Sequence, residues 1–227
     1  MWCEGRVLCA AISKAAILFA GDADLQMTGP PPPPRLNPGT ALPREHLAHS
    51  VFLAIFPRGE DAERIAAQGA RLLEQHAVKA KMAEMHRLHV TLHHFGRFAA
   101  VPHELLQTVL GAAATVPPPS FDVVFDMALR FEKSKAFVLC GHDGTSGLAA
   151  FRQRLSEALA KAGLAPEQAF TPHMTLAYTR RKIETHPIEP IRWTADSFAL
   201  VDSHVGKRVY QVLGGWPAAP DPSAPHA

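Results

Sequence analysis

A four-residue pattern, His-x-Thr-Leu, occurs twice in this chain, as His89-Val90-Thr91-Leu92 and as His173-Met174-Thr175-Leu176. On a β-strand successive side chains alternate faces. In each string the His and the Thr then point one way, and Val90/Leu92 or Met174/Leu176 the other. Such a strand sinks its apolar pair into a core and offers its imidazole and hydroxyl to a cavity. The repeat therefore asks for a fold with two equivalent strands, one in each half, lining a common cleft. Two imidazoles meeting there can act as a proton acceptor and a proton donor, because an ordinary pKa of about 6.5 leaves both forms of histidine populated near neutrality. The plainer reading is two core strands whose polar residues carry no chemistry.

The chain has 227 residues, 47% of them hydrophobic, enough for a sizeable core. Its formal charge of +2 is far from the basic balance of a protein that grips long nucleic acid by charge alone. A nucleic-acid substrate is expected to be met at an end or a short segment. Cys3, Cys9 and Cys140 show no metal-ligand spacing and imply no disulfide framework, so a cytoplasmic location is expected. The apolar run from Val7 to Ala20 is broken by Lys14 and is too short to span a bilayer, so no membrane partner is expected. The prolines at 30–34, 38 and 43 mark residues 1–45 as a disordered extension, and the Pro- and Ala-rich residues 217–227 as a frayed tail. Residues 46–216 form the folded domain.

Within that domain the pattern predicts a strand over Ser50–Phe56, then a helix over Glu60–His76 that buries Ala62, Ile65, Gly69, Leu72 and Leu73. The first His-Thr strand runs over Leu88–Phe95 and stops at Gly96. A second helix carries Leu105, Leu106, Val109, Leu110 and Ala113. Strands Phe121–Phe131 and Ala136–Cys140 come next, then a third helix lined by Leu148, Phe151, Leu155 and Leu159. The second His-Thr strand is His173–Tyr178. Ser197–Val201 and Val209–Leu213 pair across an Asp202–Lys207 turn. Strand pairs interspersed with helices point to an α+β fold rather than a doubly wound parallel sheet, with two similar lobes related by a pseudo-twofold.

These motifs resemble the two-histidine (2H) phosphoesterase superfamily, and within it the bacterial RNA 2′,3′-cyclic phosphodiesterases, also called 2′-5′ RNA ligases. The likeness runs from about His49 to Trp216. Beside the two His-Thr strings it rests on Ser50-Val51-Phe52-Leu53-Ala54-Ile55-Phe56-Pro57, on Thr171-Pro172, on Phe198-Ala199-Leu200-Val201-Asp202-Ser203 and on Tyr210-Gln211-Val212-Leu213-Gly214. The resemblance implies two pseudo-symmetric lobes with mainly antiparallel sheets around a central cleft and helices outside. It implies metal-independent hydrolysis of RNA 2′,3′-cyclic phosphate ends to 2′-phosphates, reversible in principle as 2′-5′ ligation; no cofactor and a monomer are expected. Carried over by position, His89 and His173 are the acid/base pair, and Thr91 and Thr175 hold the phosphate. Many relatives place an Arg two residues after the second Leu, where this chain has Tyr178.

Other residues allow sharper and plainer readings. Phe52 is a base-stacking surface or core, Tyr178 a core or cleft-edge residue, and Arg180 a phosphate contact or a solvated charge. In a regular strand His93 shares the face of His89 and His94 does not. With His86 they raise a zinc site, though without the converging ligand pattern such a site needs. Asp202-Ser203-His204, read as a turn, cannot assemble a hydrolase triad, and no Gly-rich triphosphate loop is present. The alternatives to a cyclic phosphodiesterase of RNA ends are a nucleotide- or RNA-binding module without turnover and an esterase for another small cyclic phosphate.

Overall fold

Strand β1 (His49–Ile55) leads into helix α1 (Gly59–Gln75), strand β2 (Val90–Phe98) and helix α2 (His103–Ala114). Strands β3 (Phe121–Arg130) and β4 (Ala136–Cys140), helix α3 (Ser146–Lys161), and strands β5 (His173–Tyr178), β6 (His186–Ala195), β7 (Phe198–His204) and β8 (Val209–Trp216) follow. The computed structural model describes residues 47–141, 145–165 and 171–217. The predicted extension, 1–45, and all but the first residue of the predicted tail lie outside the described residues. Among the latter, no helix is long and apolar enough to cross a membrane.

All strand pairs are antiparallel, in the order β6-β3-β4-β5-β2-β1-β7-β8. The expected two lobes are the two halves of this sheet. They meet between β5 and β2 through one residue pair, Val90 opposite Met174. Beyond it the strands part, and the opening is the cleft.

The helices cross between halves. In α1 the residues buried are the five that its periodicity selects, Ala62, Ile65, Gly69, Leu72 and Leu73, and Glu60 and Asp61 in its first turn complement the helix dipole. Although α1 follows β1, it lies over the other half. A Cβ on Gly69 would come within 2.9 Å of Leu176 Cδ2, and Gln68 Nε2 donates to the Glu189 carbonyl of β6 at 2.8 Å. Helix α3, from the second half, reaches back to β2, where Arg152 Nε donates to the Leu92 carbonyl at 3.1 Å. The main core lies on this helix-covered face and includes Val51, Leu53, Ile55, Val90, Leu92, Met174 and Leu176. Phe52, Ala54 and Val201 pack with Phe56, Ala199 and Tyr210 as a smaller cluster on the other face.

Both His-Thr strands carry a β-bulge at the same position. Ala54 pairs with Thr91 and Leu53 with His93, so β1 skips Leu92. Val138 pairs with Thr175 and Phe137 with Ala177, so β4 skips Leu176. An extra residue resets the alternation of faces. Each skipped leucine has its carbonyl satisfied from outside that ladder, Leu92 by Arg152 and Leu176 by the Ala83 amide at 2.6 Å. The reset overturns one expectation: His93 is buried against Phe95, ring centroids 4.6 Å apart, and His94 takes the cleft face instead. The adjacent imidazoles are thus divided between the two faces of the sheet.

The strands depart from the sequence reading most clearly at β2, β6 and β7. Gly96 does not stop β2. It pairs with Val51 at φ +121° while Phe95 is skipped, a second bulge that glycine accommodates without steric cost. Strand β6 is absent from the sequence reading, because Pro187 and Pro190 interrupt it. It is an edge strand bonded to β3 alone, where a proline costs no ladder bond on its open side. Strand β7 runs on through Asp202, Ser203 and His204, so the turn to β8 is Val205–Arg208 and not Asp202–Lys207.

Candidate active site

The apolar members of the two strings, Val90, Leu92, Met174 and Leu176, are all fully buried, each anchoring its strand by roughly 1.5–3 kcal/mol. Their polar members, His89, Thr91, His173 and Thr175, all line one cavity of about 540 Å³. Because Val90 faces Met174 in antiparallel sense, the flanking residues oppose crosswise, Thr91 toward His173 and His89 toward Thr175. The result is a quartet of alternating imidazoles and hydroxyls across the seam.

The two imidazoles are held in the same way. His89 Nδ1 donates to the Arg87 carbonyl and His173 Nδ1 to the Thr171 carbonyl, each at 2.7 Å and each two residues upstream. A carbonyl only accepts, so the proton of the neutral ring is fixed on Nδ1 and Nε2 is left to exchange one with a bound group.

Their walls differ. Phe52 stacks on His89 with centroids 5.0 Å apart and planes at 21°, Phe56 leans on it at 5.6 Å, and Tyr210 meets it edge-on at 5.6 Å. The Arg87 guanidinium lies 4.6 Å over the Tyr210 ring. Burial pushes the His89 pKa down to about 4; His173 and Arg87 push the same way, and the backbone bond to Arg87 opposes them. His173 has Phe131 edge-on at 4.9 Å, and its pKa is lowered by burial against the opposing bond to Thr171. Burial raises the Tyr210 phenol.

The cleft is electropositive. Lys81, Arg87, Arg97 and Arg208 line it against Glu84, and Glu84 is itself 3.4 Å from Lys81. Ser50 Oγ and His94 Nε2 hydrogen-bond at 2.9 Å on one wall.

Of the residues expected at the site, Phe52 and Tyr178 also line the cavity, Tyr178 at its rim and 66% exposed. Tyr178 owes its orientation to the bulge at Leu176 and occupies the position in β5 that His94 occupies in β2. Arg180 is exposed and does not line the cavity. Sequence reasoning missed Arg87, Phe56 and Tyr210. Phe56 shares the face of Phe52, which was signal enough. Arg87 sits two residues before His89, where only the carbonyl geometry draws attention to it, and Tyr210 comes from a distant strand. In β7, Ser203 lines the cleft while Asp202 is buried in the sheet, so the strand as well as the sequence spacing denies a Ser-His-Asp triad.

Residues 57–207 match the model of the 2′-5′ RNA ligase superfamily. No curated protein matches the chain. Solved structures share its fold. A phosphoesterase crystal structure aligns at TM-score 0.61 and 23% identity over 74% of this chain and 97% of its own. LigT of E. coli without ligand aligns at 0.60 and 24% over 74% and 96%, and TT0787 of Thermus thermophilus at 0.57 and 21% over 73% and 96%. With the family model covering residues 57–207, about two thirds of the sequence and both His-Thr strands, the chain belongs to the 2′-5′ RNA ligase superfamily.

Proposed function

We propose that the chain is a phosphodiesterase that opens 2′,3′-cyclic phosphates at RNA ends to 2′-phosphates. Family membership supports phosphoesterase chemistry, and the observation that carries the finer reading is the crosswise His/Thr quartet in one positively lined cleft. LigT of E. coli, which shares the fold, has been crystallised with 3′-AMP and with phosphate, a nucleotide and a bare phosphate group.

In this reading the ring-opening needs no ion. Water attacks phosphorus in line, the P–O3′ bond breaks, and the phosphate stays on the 2′ oxygen. His89, whose walls favour the neutral ring, accepts the water proton at Nε2. His173, less enclosed, carries the proton that the departing 3′ oxygen takes. Thr91 and Thr175 donate to the phosphoryl oxygens, whose charge grows in the transition state. Phe52 is buried in the wall with its ring stacked on His89, and the exposed Tyr178 at the rim offers the stacking face to the terminal base. Arg180, outside the cavity lining, meets only the chain leading away from that nucleotide. By microscopic reversibility the same groups join a 2′ hydroxyl to a cyclic phosphate.

The test is a panel of a cyclic mononucleotide, a short RNA ending in a 2′,3′-cyclic phosphate and an ADP-ribose cyclic phosphate, with product identification. The expected result is fastest conversion of the RNA end, to a 2′-phosphate. Binding without conversion would favour a non-catalytic module, and faster turnover of the ADP-ribose compound would reassign the substrate.

A further inference from the structure

At the edge of the cleft, which His204 borders, three side chains of metal-ligand type meet on β1 and β7, the middle strands of the β2-β1-β7-β8 half. His49 of β1 faces His204 of β7 directly, and Asp202 lies two residues along β7 on the same face. His49 Nδ1 donates to Asp202 Oδ2 at 2.6 Å, and His204 Nε2 lies 3.3 Å from that same oxygen. One nitrogen or oxygen from each residue lies within 4.8 Å of the others. The intervening Ser50 and Ser203 point to the opposite face and line the cleft.

Hydrogen bonding leaves this cluster incomplete. The Asp202 side chain is only 3% exposed, its Oδ1 has no hydrogen-bond partner, and His204 Nε2, also buried, has none. A buried carboxylate with an orphaned oxygen is costly, and an orphan of this kind is a place to look for an ion. Both histidines remain partly open, each 27% exposed, so an ion has a way in.

We propose that His49, Asp202 and His204 form a binding site for a divalent transition-metal ion of the zinc class, separate from the paired imidazoles of the cleft. Two imidazoles and a carboxylate are the donor set and count of a zinc site that keeps a position for water. Zinc bonds of roughly 2.0–2.1 Å set tetrahedral ligand atoms about 3.3 Å apart. The His204–Asp202 separation already meets that spacing, and His49 reaches it by giving up its hydrogen bond to the carboxylate. The ion ties the first residue of β1 to the last of β7, fixing the register of two strands whose other faces carry Phe52, Ser50 and Ser203 toward the cleft.

The experiment is a titration of the full chain, stripped of metal and dialysed, with Zn²⁺ against a competing chromophoric chelator, and with Co²⁺ followed by its visible absorption. The wild type is expected to bind one equivalent with the spectrum of a low-coordinate Co²⁺ site. His49→Ala and His204→Ala are each expected to lose affinity by at least about tenfold, as is Asp202→Asn. His89→Ala, His173→Ala and His76→Ala are expected to bind as the wild type does. Should Asp202→Asn fail to fold, the two histidine variants at their partly exposed positions decide the matter. Absence of a tight equivalent in the wild type, or undiminished binding in both His49→Ala and His204→Ala, would overturn the proposal.

Discussion

The two His-Thr strands share a backbone and differ in their walls. Each has the same carbonyl clamp on Nδ1, the same buried apolar pair and the same bulge at its leucine. Around His89, however, Phe52, Phe56 and Tyr210 close in, whereas Phe131 is the ring that meets His173. Geometry is thus repeated while dielectric environment is not, and environment sets proton affinity. In the proposed reaction the duplicated scaffold sets two identical groups across one phosphorus, and the unequal aromatic packing gives them opposite proton-transfer roles. Neither half could do this alone.

The largest effect expected is on the imidazoles themselves. His89→Ala and His173→Ala should each lower the hydrolysis rate by roughly 10²–10⁴, with circular dichroism unchanged. A near-normal rate in one of them would reduce the pair to a single working residue. Thr91→Ala and Thr175→Ala should follow, costing up to about 10²-fold if each hydroxyl donates to the developing charge. Equal losses would extend the backbone symmetry to phosphate binding, and a loss in only one would show where it stops.

Packing is tested by Gly69→Ala, whose new methyl would press on Leu176. A loss of about 1–3 kcal/mol in denaturant unfolding is expected, since at this point α1 braces Leu176 in the strand of His173. A neutral result would mean that the α1–β5 contact is looser than these distances require.

A subtler effect concerns pH and stability. His89 binds its proton with a pKa of about 4 in the fold against 6.5 in the unfolded chain. Between those values the unfolded chain holds more protons, so stability contributed by the neutral ring is fully present above pH 6.5 and is lost as pH falls toward 4. His89→Gln should flatten that part of the pH–stability curve. His173→Gln should do so less, its shift being smaller. The smallest expected effect is that of a chelator on turnover, which should be nil if proton transfer is left to the imidazoles. Loss of activity to a chelator and its restoration by zinc in His49→Ala, which lacks the proposed ion site of β1 and β7, would contradict the mechanism.

Much of this was legible in the residues. Alternation within His89–Leu92 and His173–Leu176 shows which side chains leave the core, and the spacing of Ala62, Ile65, Gly69, Leu72 and Leu73 marks the buried stripe of α1. What escaped depends on partners distant in sequence. Nothing local signals that β1 skips Leu92, yet that skip decides whether His93 or His94 sees the cleft. Strand β6 reads as a loop because Pro187 and Pro190 are tolerated only where one edge is unpaired, which is a property of the sheet and not of the segment. Arg87 and Tyr210 become site residues only when β2 and β8 are brought onto one cleft. Likewise, Asp202-Ser203-His204 reads as a turn until β7 extends through it and His49 is set opposite.

The central claim is that His89 and His173 act as a base and an acid on the same phosphorus, and the pH dependence of kcat/KM on a cyclic-phosphate RNA end tests it most directly. The wild type should give a bell centred on the acid side of neutrality, because both pKa values are depressed. His89→Ala should lose the acidic limb alone and His173→Ala the alkaline limb alone. Two variants that keep both limbs, or a wild type with no bell, would contradict the account.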